Sequence, residues 1–307
     1  MNYFTIIFTV AGLCVFETIS SIDNAIINAE VLTTMQPKAK RWFLVWGFLF
    51  AVVVVRGLLP WVIVWAATPG LSFFHAFTAT FSSDPSVKNA IETSQPLLFA
   101  GGGVFLVFLF FHWLFLEQKN FGLPGERFIQ RQGVWFYAVV SILLAVLVWV
   151  GLKVNTYMAF AMVLGSTAFF ITHGFKENAE HSEQQLTGKN NLSDISKILY
   201  LEVIDSTFSI DGVLGAFAFT LSVPLILIGN GLGAFVVRKF TVASVDKIKK
   251  YRFLKNGALY SILFLGLIMI FDAFGYKSPE WFSPLVTFVV VGYFFLKSKT
   301  DEQAAAH

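Results

Sequence analysis

Long apolar stretches alternate with short polar ones along this chain, and the stretches have the length of membrane-spanning helices. Between Arg41 and Asp84 the ionisable side chains are Arg56 and His75. Gln132 to Leu152 and Gly212 to Val237 carry no charge. A bilayer-spanning helix needs ~20 mostly apolar residues. On that rule the pattern predicts an all-α, polytopic transmembrane bundle of nine spans: 4–32, 44–66, 96–116, 134–152, 155–174, 196–221, 224–240, 257–273 and 282–297. The first and sixth are long enough to tilt or break.

Composition agrees: 56% of the 307 residues are hydrophobic and 13% charged, against about a quarter charged in soluble domains. The apolar first segment lacks a basic region before it, the first lysine being Lys38, so it is expected to be a retained span rather than a cleaved signal. One cysteine, Cys14, provides neither a disulfide framework nor a thiolate metal site and is expected to be a packing residue. The net charge of +3 reflects basic loop residues and implies no nucleic-acid partner. Lipid is the expected surrounding, and oligomeric state is not legible.

Basic residues orient a membrane chain, because loops on the cytoplasmic side hold an excess of Lys and Arg. With the N-terminus outside, 18 basic residues fall in inner loops and the tail, against Lys88, Lys153 and Lys277 outside. The expectation is a multi-pass protein of the inner (plasma) membrane, N-terminus out and C-terminus in.

The first and sixth spans share a pattern. Glu17-Thr-Ile-Ser-Ser21-Ile-Asp23-Asn24 and Asp205-Ser-Thr-Phe-Ser209-Ile-Asp211-Gly212 both read carboxylate, three residues, Ser-Ile-Asp. The following spans echo each other from Gly47 to Arg56 and from Gly229 to Arg238, each ending Val-Val-Arg. Because the basic-residue count sends the two motif spans in opposite directions, the repeat is read as inverted, as in many secondary transporters. The expected organisation is a first membrane repeat (1–116), an intervening helix pair and inner loop (117–194), a second, inverted repeat with a final helix (195–297) and a tail (298–307).

Intramembrane carboxylates are the candidate chemistry. Each costs ~2.5–3.5 kcal/mol at the bilayer centre on insertion scales, so Glu17, Asp23, Asp205 and Asp211 need protons, cations or a counter-charge. The plain alternative is a set of neutral acids holding helices together. Residues six apart lie ~9 Å apart along a helix and differ by about 120°, so neither motif grips one ion from a straight helix. Either the two helices cross, pairing Glu17 with Asp211 and Asp23 with Asp205 in depth, or the backbone unwinds near Ser20-Ser21 and Gly212. Glu17, Ser21, Asn24 and Asn28 form one polar stripe, faced by Glu202, Asp205 and Ser209.

Arg56, deep in its span, is the expected counter-charge, and Arg238 is read as a boundary marker. Glu30 reads as an ordinary helix-end polar residue, and Asn28 can equally be one. Asp272 is expected as a solvated cap, and His75 and His173 as interfacial side chains without partners. Gly101-Gly102-Gly103 reads as a close-packing run rather than a phosphate loop. The oxygen-rich donor set suits Mn²⁺, Mg²⁺ or Ca²⁺ better than Cu⁺ or Zn²⁺.

The two motifs resemble those of the TerC family of integral membrane proteins: Glu17-x-x-Ser20-Ser21-x-Asp23-Asn24 matches Glu-x-x-Leu-Ser-x-Asp-Asn, with Ser20 for Leu. Glu202-x-x-Asp205-x-x-Phe208-Ser209-x-Asp211 matches the second motif, with Gly212 where Ser is usual. The run through Ala-Ile-Ile-Asn-Ala is closer still to a TerC-related bacterial group, within a LysE-type exporter superfamily built on inverted three-helix repeats. The resemblance covers most of spans one, two, six and seven, and implies an ion site at Glu17, Asp23, Asn24, Glu202, Asp205 and Asp211. Nine spans exceed the family's usual seven or so. The expected function is a divalent cation exporter, Mn²⁺ favoured, coupled to protons, with no cofactor and no enzymatic activity. The alternatives are a membrane scaffold or tellurite-resistance-type protein with structural acids and, with less support, an intramembrane hydrolase.

Overall fold

In the structure, a computed structural model, residues 3–68, 72–74, 85–188, 193–243 and 251–305 are described, without the side chains of Asp23, Ile27, Glu30, Ile204, Thr207, Phe208 and some loop-flanking residues. His75 therefore lies outside the described residues. Every regular element among those described is helical: α1 (Tyr3–Ser20), α2 (Ile22–Thr33), α3 (Pro37–Trp42), α4 (Arg56–Ala67), α5 (Pro85–Phe115), α6 (Glu126–Arg131), α7 (Phe136–Val154), α8 (Thr156–Gly188), α9 (Asp194–Phe217), α10 (Val223–Ala243), α11 (Leu254–Ala273) and α12 (Phe282–Ala305). Between α3 and α4 the chain winds as two π-helical segments, Phe43–Gly47 and Phe50–Val55.

Among the described residues, seven helical stretches are long and apolar enough to cross a bilayer: Tyr3–Ser20, Pro37–Ile63, Glu92–Phe115, Gly133–Val154, Thr156–Phe175, Leu254–Ala273 and Phe282–Asp301. The motif helix α9 and its successor α10 are not among them. Four carboxylates from Asp194 to Asp211 make α9 too polar to look like an ordinary lipid-facing span. The first expected span is two helices, and the fifth continues past its apolar part to Gly188.

Helix α5 is the hub. Val104, Leu106 and Trp113 along it are fully buried, and it packs most extensively against α11 and α8. Small residues permit this. A methyl at Gly165 of α8 would strike the Gly101 carbonyl oxygen of α5, and one at Gly103 would come within 2.8 Å of the Gly266 carbonyl of α11. The glycine run of α5 thus lets three helix backbones approach, as small residues do in membrane bundles.

Large apolar side chains cover the outside, including Trp46, Val53, Ile142, Trp149, Phe160, Val289 and Leu296. Buried polar side chains, Glu17, Asn24, Arg56, Asp205 and Asn230 among them, sit within. An apolar exterior around a polar interior is what a lipid solvent selects, and the protein is a multi-pass membrane protein.

At one end of the bundle a buried carboxylate ties the α5–α6 connection to α11. Glu126 accepts from the Gly122 amide (2.7 Å), Tyr260 Oη (2.9 Å) and Asn256 Nδ2 (3.3 Å). Lys119 donates to the Trp113 and Leu114 carbonyls at 2.7 and 2.5 Å, closing the last turn of α5.

Candidate functional site

The two motif helices meet inside the bundle, with α10 and the π-helical region completing the walls. Helix α1 stops at Ser20, Ser21 adopts φ −92° and ψ 5°, and α2 restarts at Ile22. The interruption is mild: Ser21 N still donates to Glu17 O (3.1 Å) and Ala25 N to Ser21 O (3.0 Å). Its local cause is side-chain competition. Ser20 Oγ donates to Glu17 O (3.3 Å) and Ser21 Oγ to Glu17 Oε1 (2.9 Å), contacts that divert serines from regular helix. Unwinding at Ser20-Ser21 therefore takes this small form. None occurs at Gly212, because α9 is continuous from Asp194 to Phe217.

Gly212 has a different role. A methyl there would stand 2.7 Å from Glu17 Oε2, and a methyl at Gly233 of α10 would stand 2.6 Å from Glu17 Cβ. The two glycines clear the space that the Glu17 carboxylate occupies. Asp211, beside Gly212, is also buried, so Glu17 and the Asp211 segment share a level. One level away, Asn24 Nδ2 donates to Asp205 Oδ1. Glu17 thus lies against the Asp211–Gly212 end of the second motif, and Asn24 against its Asp205 end. The Asp23 side chain itself lies outside the described residues.

Arg56 links the levels. Its Nη2 and Nε lie 2.7 and 2.9 Å from Glu17 Oε1, and its Nη1 lies 3.6 Å from Asp205 Oδ2. Glu17 is 1% exposed and Arg56 4%. The guanidinium reaches both acids because the chain delivers it from a π-helical turn: the Arg56 amide bonds Ala51 O, five residues back. Such turns cluster at functional sites because they displace a side chain from α-helical register.

Beside this network is a small cavity of about 30 Å³, large enough for a water or a single ion. Ser21, Asn24, Asn28, Arg56, Asp205 and Arg238 line it. Asn24 Oδ1 and Asn28 Oδ1 face no hydrogen-bond partner, although both residues are more than nine-tenths buried. Asn28 thus belongs to the site rather than to an ordinary helix end. Both oxygens of Glu202 and the Ser209 hydroxyl also have none. Glu202 packs against Gly47, where a methyl would strike its Oε1.

Other readings change. Arg238 is no simple boundary marker, since it lines the cavity, donates to Phe43 O and lies over the rings of Phe43 (4.4 Å) and Phe48 (5.4 Å). The two arginines that end the Gly-to-Arg echo therefore reach one cavity. His173 does not stand alone: its ring lies 3.7 Å from that of His112, sixty-one positions away, a separation no local spacing reveals. Asp272 caps a turn, accepting from Ser278 N (2.9 Å) and Ser278 Oγ (2.7 Å). Asn230 of α10 is fully buried with both amide atoms unpartnered. It sits within the echo, and its polarity amid an apolar run was the available signal. Cys14 is half-buried on α1, its carbonyl accepting from Thr18 Oγ1 at 2.6 Å.

Among the described residues no three His, Cys, Asp or Glu side chains gather as a metal-ligand set. The acids are instead spread along the crossing, with Arg56 between Glu17 and Asp205. Chemically the arrangement offers carboxylate, amide and hydroxyl oxygens at a low-dielectric point, already counter-charged by one guanidinium.

No solved structure matches the chain. Over 118 residues it is 30% identical to the uncharacterized membrane protein YceF of Bacillus subtilis (strain 168), a match covering 36% of this chain and 45% of that protein. The chain thus aligns with less than half the length of that relative. The family model described as protein of unknown function (DUF475) matches residues 22–305, nearly the whole chain, and the chain belongs to that family.

Proposed function

We propose that this protein is a divalent metal cation transporter, a Mn²⁺ exporter exchanging the metal for protons. The observation that carries the reading is the buried crossing of the motif helices: Glu17 and Asp205 meet at Arg56 beside a cavity whose walls present unpartnered amide oxygens. Charged groups inside a membrane face cavities or pathways and mark ion routes by default. Oxygen ligands favour Mn²⁺, Mg²⁺ or Ca²⁺. Glu17, Ser21, Asp23, Asn24, Glu202, Asp205, Ser209 and Asp211 supply the ligands, with Arg56 as counter-charge. The motif resemblance to the TerC family supports the same reading, as does the arrival of Arg56 and Arg238 at one cavity from opposite halves of the chain, which an inverted repeat explains.

Protons enter through charge balance. Several carboxylates sharing a low-dielectric site cannot all be ionised without a cation, because desolvation and mutual repulsion raise their pKa values. Metal entry then displaces protons, and with the N-terminus outside, outward metal release lets external protons reload the acids. The test is flux in proteoliposomes across Mn²⁺, Ca²⁺, Mg²⁺, Zn²⁺ and Ni²⁺ with a trapped pH dye. Mn²⁺ flux with opposite proton movement, and metal affinity falling from pH 8 to 6, is the expected result. Metal flux with neither effect refutes proton coupling.

One observation favours a second reading, a scaffold with structural acids: Glu17 and Asp205 are already partnered by Arg56 and Asn24. Absence of flux for every ion, with no metal-dependent thermal stabilisation of the purified protein, selects it.

A further inference from the structure

The cavity poses a contradiction that a purely structural ion pair does not explain. A guanidinium placed only to neutralise two acids should leave its surroundings satisfied, since buried polar atoms without partners are costly. Here the two carboxylates are already engaged: Glu17 Oε1 receives Arg56 Nε, Arg56 Nη2 and Ser21 Oγ, and Asp205 receives Asn24 Nδ2 and pairs with Arg56 Nη1. A few ångströms away, the Asn24 and Asn28 oxygens on the wall of the same cavity have nothing to accept from. The neighbouring cation does not serve them as placed: Arg238 donates through Nη2 to the Phe43 carbonyl and lies over its ring, and its own buried Nε has no partner. Acceptors therefore stand in place for a cation while their two strongest companions are engaged by a residue of the chain itself.

We propose that Arg56 is a tethered cation competing with the transported metal, so that metal binding and the Arg56–Glu17–Asp205 contacts exclude each other. The inference rests on the transporter reading. In this state the guanidinium occupies Glu17 and Asp205, and among the described residues no three His, Cys, Asp or Glu side chains form a ligand set. When it withdraws, Glu17 and Asp205 join Asn24 and Asn28 around the cavity, and a divalent ion replaces a monovalent one. The Phe50–Val55 π turn provides the means. Returning its extra residue to α-helical register rotates the following side chain by about 100° around the helix axis, which carries Arg56 off the acids without unfolding the span.

The affinity consequence has a definite sign. If the guanidinium is released in about one molecule in ten, apparent metal affinity is lowered about tenfold by the competition. Removing the tethered charge should therefore tighten binding, the opposite of the effect expected for a ligand or for a purely structural residue. Calorimetric titration of Mn²⁺ into purified protein should show Arg56→Gln binding about tenfold more tightly than wild type. Arg56→Lys, a point charge that cannot fork between two acids, should gain less. In Arg56→Ala, guanidinium chloride below denaturing concentration should compete with Mn²⁺, and in the wild type it should not.

Equal or weaker Mn²⁺ binding by Arg56→Gln, with saturable wild-type binding, overturns the inference and leaves the transporter reading standing. Absence of guanidinium competition in Arg56→Ala overturns it as well. No saturable binding by the wild type or any variant overturns both. Should Arg56→Gln fail to fold, Arg56→Lys decides, and binding there no tighter than wild type overturns the competition.

Discussion

Removing the Glu17 charge tests how the bundle tolerates its central arginine. In Glu17→Gln the guanidinium loses the carboxylate that takes two of its N–H groups at 2.7 and 2.9 Å and keeps Asp205 at 3.6 Å. Both partners are almost wholly buried, so bulk water does not reach the guanidinium to replace the lost oxygen, and the adjoining cavity has room for one molecule at most. Breaking a buried pair from one side costs about 3–5 kcal/mol, most of it the penalty of the stranded charge. Arg56→Met strands Glu17 in turn, which keeps Ser21 Oγ as a donor and can take up a proton, so its cost should fall at the lower end of that range. The double substitution removes both charges and should cost less than the two single losses added together, by a coupling energy of about 2 kcal/mol; the remainder persists because Asp205 also loses its arginine. Equilibrium unfolding in lipid–detergent bicelles, run on the wild type, two single variants and double variant, measures it. Coupling below about 0.5 kcal/mol, with additive single effects, would refute a desolvated pair at this place.

Four further outcomes follow from local geometry. Asp211→Asn should abolish metal transport while leaving insertion and folding intact, since a neutral isostere removes charge but also desolvation cost; retained flux would make the acid structural. Gly165→Ala should destabilise by more than about 2 kcal/mol, as overpacking does at its worse end, because its methyl meets the immovable Gly101 backbone, with the carbonyl carbon at 2.7 Å and Cα at 2.9 Å; wild-type thermal stability would contradict it. Gly47→Ala meets instead the movable end of Glu202, so transport should suffer more than melting temperature. Burial pushes the Lys119 ammonium from its ordinary 10.5 down to about 8. The folded state then binds fewer protons than the unfolded between those values, so stability should rise with pH across that window. Lys119→Met should flatten the rise in a pH series of melting temperatures.

At the other charge near that end, burial pushes the Glu117 carboxyl up, but His112 and Lys255 more than offset this and hold it below its ordinary 4.5. Its contribution is present above the ordinary value and is lost as pH falls towards the folded one.

The helical class and the membrane setting were written in residue order alone, because lipid demands long apolar runs with internally bonded backbones. The polar stripe was equally legible. Glu17, Ser21 and Asn24 repeat at helical spacing, and the structure brings all three to the site with Arg56 and Asp205. Opposite travel of the motif helices predicted a pairing in depth of Glu17 with Asp211 and of Asp23 with Asp205; in the structure Glu17 lies against Gly212 and Asn24, the neighbour of Asp23, bonds Asp205.

Tertiary structure decided the rest. Gly212 looked like a place to unwind, yet α9 runs straight through it because the Glu17 carboxylate needs the room a side chain would fill. Arg238 looked like an interface marker until the fold laid it on Phe43 and beside the cavity. The His112–His173 pair and the unpartnered Asn230 depend on which helices become neighbours. The π turns before Arg56 lie in a featureless Val-rich run whose residues allow either register. Periodicity assigns a residue to a face of its own helix. What that face meets is set by packing among helices far apart in sequence, and in a membrane close approach of small residues governs that packing where lipid offers apolar side chains no preference.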